Sequence, residues 1–194
     1  MVKAGRSCLT PPMNPIIQSE RLDLIPMTPA VLRLVLAGEG RKAGELLGIS
    51  APADWQIPIG AVELRLRELE ADPGLQPWLL KAISLRDRGL FVGHIGFHTA
   101  PGPEYLASLS PGAVEFGFGI LEPWRRQGIA AEASEAMMRW ARDVHQVQRF
   151  ILCISPENLA SLGVAATLGF HPISSHIDEH DGPEDIFERS DEGR

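Results

Sequence analysis

Arg125-Arg126-Gln127-Gly128-Ile129-Ala130 joins an apolar, strand-forming segment to an amphipathic helical one. The segment before it, Val114-Glu115-Phe116-Gly117-Phe118-Gly119-Ile120, mixes β-forming residues with glycine. After it, Ala133, Met137, Trp140, Ala141 and Val144 recur at helical spacing, which predicts a helix from about Ala130 to Val144. A turn in that position gathers backbone N–H groups and the positive end of a helix dipole around one point, where an anion binds without side-chain help. Gly128 has no Cβ to block the approach, and Arg125 and Arg126 add positive charge. The stretch reads as a pyrophosphate cradle.

Upstream, Leu22 and Leu24 alternate in a strand, and Thr28 followed by Pro29 starts a helix running to about Ala37. Pro58 to Ala71 is a second helical region, with Val62, Leu66 and Leu69 on one side and Glu63 and Arg67 paired on the other. Trp78 to Leu85 and Leu90 to Thr99 read as strands around an Arg86-Asp87-Arg88-Gly89 hairpin turn. Downstream come a strand over Gln148–Ile154, a short helix from Leu159 to Leu168 with Gly169 closing it, and a strand pair in Phe170–Ile177 and Asp185–Arg189. The predicted order is β-α-α-β-β-β-α-β-α-β-β, mostly antiparallel, with one parallel crossover through the long helix.

Arg125, Gly128 and Ala130 match the order Gln or Arg, two residues, Gly, one residue, Gly or Ala. That order resembles the acetyl-coenzyme A motif of the GNAT superfamily of N-acetyltransferases. Asn158-Leu159-Ala160-Ser161 followed by Leu168-Gly169-Phe170 is similar to the second motif of that family. Glu20-Arg21-Leu22 and Ala113 to Phe118 resemble the branch of ribosomal-protein N-terminal (RimJ/RimL-like) acetyltransferases. The resemblance covers about residues 19–190 and implies an α/β (α+β) fold: a mixed, mostly antiparallel central sheet, flanked by helices and splayed at its central strands. Residues 1–18 then read as a flexible N-terminal extension, with Met13 an alternative start, and 19–190 as one N-acetyltransferase domain.

The composition fits that reading. The 194 residues are 44% hydrophobic, enough for one sizeable core, and no apolar run approaches a membrane span. The first dozen residues lack the apolar region of a signal peptide, so a cytoplasmic protein is expected. A net charge of −7 argues against nucleic-acid binding, and the acidic run from Asp178 to Glu192 reads as a solvated face. Cys8 and Cys153 build neither a disulfide framework nor a zinc site, and Cys153 reads as a small core residue rather than a catalytic thiol. His176 and His180 are four residues apart but lack a third partner, so no metal is expected.

The resemblance implies direct attack of an amine on the acetyl thioester, with no covalent enzyme intermediate. Acetyl-coenzyme A would be the cosubstrate, held by Arg125, Arg126, Gln127, Gly128, Ile129 and Ala130, with the strand edge at Phe118–Leu121, including Ile120 and Leu121, receiving the pantetheine arm. Asn158 would contact the cofactor or cap the helix after it. Glu115, beside the open space of Gly117 and Gly119, is the candidate general base, and its aromatic neighbours are expected to raise its pKa. His94 and His98 are rivals on a neighbouring strand, about 13 Å apart. Relatives that protonate the leaving thiolate with a tyrosine carry it where this chain has Ala165, which leaves Ser161 as a hydroxyl partner for the sulfur. Tyr105, the only tyrosine, lies outside both motifs.

The acceptor class stays open between a protein α-amine and a small amine such as a polyamine or an antibiotic. A lysine amine with a pKa of about 10.4 is only about 0.1% free at pH 7.4, whereas an α-amine near 7.8 is roughly a quarter free, so an α-amine demands less of the base. A non-catalytic acyl-coenzyme A binding module is the alternative function, and a homodimer is compatible with the family.

Overall fold

The computed structural model describes residues 15–178 and 182–191. Eight strands form one sheet: β1 (Ile17–Gln18), β2 (Leu22–Pro26), β3 (Lys81–Leu85), β4 (Leu90–Phe97), β5 (Val114–Ile120), β6 (Arg149–Ile154), β7 (His171–Asp178) and β8 (Gly182–Ser190). Their spatial order is β1-β2-β3-β4-β5-β6-β8-β7. Every neighbouring pair is antiparallel except β5 and β6, which run parallel and are joined by the long helix. The helices are α1 (Pro29–Leu36), α2 (Gly40–Leu47), α3 (Ile59–Ala71), α4 (Ile129–His145) and α5 (Leu159–Thr167).

Two elements go beyond the sequence expectation. β1 is two residues long and pairs with β2 at Leu24 and Asp23, too short to leave a periodic pattern. α2 contains Gly40 and Gly44, residues that disfavour a helix in isolation. Here they allow close packing: a Cβ at Gly40 would lie 2.3 Å from the Ala53 carbonyl oxygen, and one at Gly44 would lie 2.7 Å from the Ala51 Cβ. The Trp55 indole donates to the Gly40 carbonyl at 3.0 Å and fixes that contact. β3 begins three residues later than its apolar run, because Trp78–Leu80 turn before it and Lys81 Nζ donates to the carbonyls of Pro77, Leu79 and Trp78 at 2.5, 3.0 and 3.4 Å. On α3 the ion pair is Arg65 with Glu68, at 2.6 Å.

The sheet has apolar residues on both faces. On one, Ile95, Phe97, Val114, Phe116 and Phe150 pack under Ala133, Met137 and Ala141 of α4 and Ala165 of α5. On the other, Leu79, Ala82 and Phe91 pack against Val31 and Leu32 of α1, Ala43 of α2, and Val62 and Leu69 of α3. A smaller cluster of Leu106, Ala113, Ile151 and Ile186 closes the sheet below the parallel pair. Among the described residues no helix is long and apolar enough to cross a membrane.

Candidate active site

β5 is paired unequally on its two sides. Against β4 it pairs from Phe116 to Ile120, but against β6 only Val114 and Glu115 are in register. The Glu115 carbonyl accepts from His98 N–H, and Leu121 N–H donates to the Val92 carbonyl, both at 2.9 Å. Backbone groups alternate in direction along a strand, so the N–H and C=O groups of Phe116, Phe118 and Ile120 face the other edge. The two central strands therefore splay. A cleft of about 810 Å³ opens there, lined by Phe118–Ile120 on one side and by Asn158–Ser161, Val164 and Thr167 on the other.

The end of this cleft is the loop before α4. Gly128 occupies the N-cap position at φ +76°, a left-handed conformation for which glycine carries no penalty. Arg126 is left-handed too, at φ +62°. No side chain caps α4, so its first N–H groups, which lack intrahelical partners, remain directed at the cleft that Gly128–Ala131 line. An uncapped helix start beside exposed Arg125 and Arg126 fits a pyrophosphate. Arg125 Nε donates to the Ile120 carbonyl at 2.9 Å and ties the loop to the open edge of β5.

A buttress outside both motifs holds the loop from behind. Arg21 Nε meets Glu132 Oε2 at 2.6 Å, and Arg21 Nη2 donates to the Gln127 carbonyl at 3.1 Å. Ser19 Oγ and the Arg21 N–H both donate to Glu132 Oε1, at 2.6 and 2.8 Å. Burial would raise the Glu132 pKa, but these bonds from Ser19 and Arg21 outweigh it and hold the carboxyl below its ordinary value.

Ile120, Arg125, Arg126, Gly128, Ile129, Ala130, Asn158 and Ser161 thus meet around one cleft. Leu121 and Gln127 stand outside its lining. The Leu121 amide is taken by β4, and the Gln127 side chain donates to the Pro123 carbonyl at 3.1 Å. Asn158 Oδ1 accepts from Ser161 N–H at 3.1 Å, so Asn158 caps α5 as well as lining the cleft. Ala165 is 1% exposed and faces the core, away from the cleft.

Glu115 lies on the opposite face of β5, where sequence alone had not joined it to anything. Tyr105, in the 3-10 turn Glu104–Leu106 between β4 and β5, donates its hydroxyl to Glu115 Oε2 at 3.0 Å. His98 Nδ1 stands 3.2 Å from Glu115 Oε1, and the Cys153 thiol also hydrogen-bonds the carboxylate. Burial alone would raise the Glu115 pKa. The His98 hydrogen bond and charge, with the bonds from Cys153 and Tyr105, reverse that and lower it, contrary to the expectation from its aromatic neighbours. Burial, and then the Glu115 charge, push the Tyr105 hydroxyl pKa up, so it stays a donor. Cys153 is only partly buried and serves this cluster rather than the core alone.

Further along this face His94 lies over Gly119, and burial lowers its pKa to about 4, which keeps it neutral. His94, Trp55, Gln56, Gly119, Leu121 and Arg125 border a smaller pocket of about 70 Å³, so Gly119 and Ile120 separate two cavities on opposite sides of one strand. His176 Nε2 lies 3.8 Å from Glu184, while His180 lies outside the described residues. Among the described residues no group of three or more His, Cys, Asp or Glu side chains is arranged to hold a metal.

The acetyltransferase (GNAT) domain model matches residues 37–171, more than half of the chain. The chain belongs to the GNAT acetyltransferase family. Solved structures share the fold of this GNAT domain over nearly their whole length. A protein described as a GnaT-family acetyltransferase from Bordetella pertussis superimposes with a TM-score of 0.64 at 19% identity, covering 91% of this chain and 100% of its own. The ribosomal-protein-S5-alanine acetyltransferase of Vibrio fischeri gives 0.62 at 12% identity, over 93% and 98%. The microcin C7 self-immunity acetyltransferase MccE, solved with acetyl-CoA and AMP, gives 0.60 at 12%, over 89% and 93%. No functionally curated sequence matches the chain.

Proposed function

We propose that this GNAT domain transfers the acetyl group of acetyl-coenzyme A to a primary amine by direct attack, and that its acceptor is the α-amine of a peptide or protein. The observation that carries the transfer reading is the open edge of β5 running into the uncapped start of α4. An extended pantetheine arm can add to that edge as a strand does, its pyrophosphate meeting the N–H groups of Gly128–Ala131 and the charge of Arg125 and Arg126. MccE, which shares the fold, is solved with acetyl-CoA.

The N–H groups of Phe118 and Ile120, on the same edge, are the donors available to a developing oxyanion. Ser161 lines the cleft and offers its hydroxyl to the thiolate sulfur as the carbon–sulfur bond breaks. The amine approaches from the far face, where Glu115 and His98 form the proton-accepting pair. The smaller pocket further along that face is bordered by Arg125 and, among the described residues, by no carboxylate, and Glu115 is already paired with His98, so the face offers little charge to a polycation such as a polyamine. An α-amine, already partly free near neutral pH, suits it better.

Thiol release from acetyl-coenzyme A tests this, with an alanyl peptide, the same peptide blocked at its N-terminus but carrying lysine, and spermidine as acceptors. Release with the free N-terminus alone is expected. A preference for spermidine would overturn the acceptor, and no release with any acceptor by folded protein would overturn the transfer.

A further inference from the structure

We infer that, within the acetyl transfer proposed above, His98 Nε2 is the atom that takes the proton from the attacking amine, and that Glu115 is its positioning residue. The inference rests on which lone pairs the cluster leaves free. Glu115 is 8% exposed, and its oxygens are committed: Oε2 accepts from Tyr105 at 3.0 Å, Oε1 faces His98 Nδ1 at 3.2 Å, and Cys153 adds a third donor. A carboxylate that is shielded and already faces three donors is a weak base. A neutral imidazole that gives its Nδ1 proton to a carboxylate must present Nε2 as a bare lone pair.

That lone pair lies at the reacting end of the face. A Cβ built on Gly117 would stand 3.2 Å from His98 Nε2, so the imidazole edge rests close against the Gly117 backbone. Gly117 is one residue from Phe118 and two from Gly119, which border the cofactor cleft, a distance of roughly 7 Å along the strand to the farther one. The His98 side chain is 40% exposed, whereas the Glu115 side chain is 11% exposed, so an incoming amine meets the histidine first.

Several elements hold the imidazole in place. Arg65 of α3 donates to the His98 carbonyl and is itself tethered to Glu68 at 2.6 Å. Tyr105 and Cys153 reach His98 through Glu115, and His94 lies four residues earlier on β4. In the step, the amine nitrogen pair bonds the thioester carbon and the carbonyl π pair moves to oxygen. His98 Nε2 takes the N–H proton. As the carbonyl re-forms, the carbon–sulfur bond breaks with its pair on sulfur, which takes a proton from solvent while the imidazolium releases its own to solvent.

The test uses the whole chain, with an alanyl peptide as acceptor. His98→Asn keeps an amide donor facing Glu115 but has no basic nitrogen, so it separates structure from catalysis. The expected result is a loss of about 100-fold or more in kcat, an acetyl-coenzyme A KM within about twofold of wild type, and loss of the acidic limb of the kcat/KM profile. In His98→Ala, added imidazole should restore part of the rate. Glu115→Gln should lose less rate and retain an acidic limb. Ring 15N shifts should show Nδ1 carrying the proton in neutral wild type. Full activity in His98→Asn beside an inactive Glu115→Gln, or a proton on Nε2, would overturn the inference. Wild type that binds acetyl-coenzyme A but releases no thiol with peptide or spermidine would overturn the transfer reading itself, and this inference with it.

Discussion

The Tyr105 hydroxyl donates to Glu115 Oε2 across 3.0 Å, pinning the loop between β4 and β5 to the buried start of the strand that follows it. Tyr105→Phe removes that donor and little else. A bond to a charged acceptor contributes about 1.5–3 kcal/mol when buried, and this partly exposed one should contribute about 1–2 kcal/mol to denaturant stability. The pH dependence is the sharper signature. Glu115 titrates below its ordinary 4.5 in the folded protein, so its contribution is complete above that pH and is lost as pH falls through the folded value. Without Tyr105 the folded value rises toward the unfolded one, so the acid loss of stability measured by denaturant midpoints should be smaller and complete at higher pH.

Arg21 should matter more for binding than for stability. Its ion pair with Glu132 is half-exposed, and such pairs contribute about 0–1 kcal/mol. Its bond to the Gln127 carbonyl, however, orders the loop that presents the α4 N–H groups. Arg21→Ala should weaken acetyl-coenzyme A binding about three- to tenfold by titration calorimetry, an effect of about 0.7–1.4 kcal/mol, and should shift the melting temperature only slightly.

Gly119 leaves no room for a side chain. A Cβ there would come 2.4 Å from His94 Cε1, and the ring must move. Gly119→Ala should cost about 1–3 kcal/mol and depress turnover, since the residue borders both cavities. Adding His94→Ala should recover part of the lost stability. A double-mutant cycle in denaturant reads the coupling, and strictly additive costs would contradict this contact.

Lys81 is fully buried, with its ammonium on three carbonyls and 5.6 Å from the centre of the Trp140 ring. Burial lowers its pKa from 10.5 to about 7. Between those values the unfolded chain holds the proton that the folded chain has released, so the unfolding free energy contributed by this group rises with pH. The slope is at most about 1.4 kcal/mol per pH unit. Stability of wild type relative to Lys81→Met should therefore increase from pH 7 to 10, as urea midpoints would report.

The sequence carried the parts of the molecule that are periodic or local. The stripe through Ala133, Met137 and Ala141 located α4, and all three face the core. Asn158 before an apolar run announced the cap of α5, and the Gly128 turn announced the start of α4. Long-range relations among polar side chains leave no such pattern. Nothing periodic links Tyr105 to Glu115, Arg21 to Glu132, or Cys153 to the carboxylate beside it, because each contact is made only when separate elements meet. The pKa direction at Glu115 followed the same divide: neighbours in sequence suggested an apolar site, while neighbours in space are donors. Gly40 and Gly44 disguised α2, since the close approach that makes them favourable is tertiary.

Calorimetric titration of acetyl-coenzyme A into wild type and into Gly128→Glu, with ATP as the control ligand, tests the binding role of the α4 start. Gly128 holds φ +76° at the uncapped helix start, so a glutamate there both strains the turn and places a negative charge where the pyrophosphate would lie. Wild type is expected to bind acetyl-coenzyme A with micromolar affinity and ATP far more weakly, and the variant to lose binding with its circular dichroism unchanged. Folded wild type that gives no acetyl-coenzyme A binding would contradict that role, as would a variant that binds as tightly as wild type.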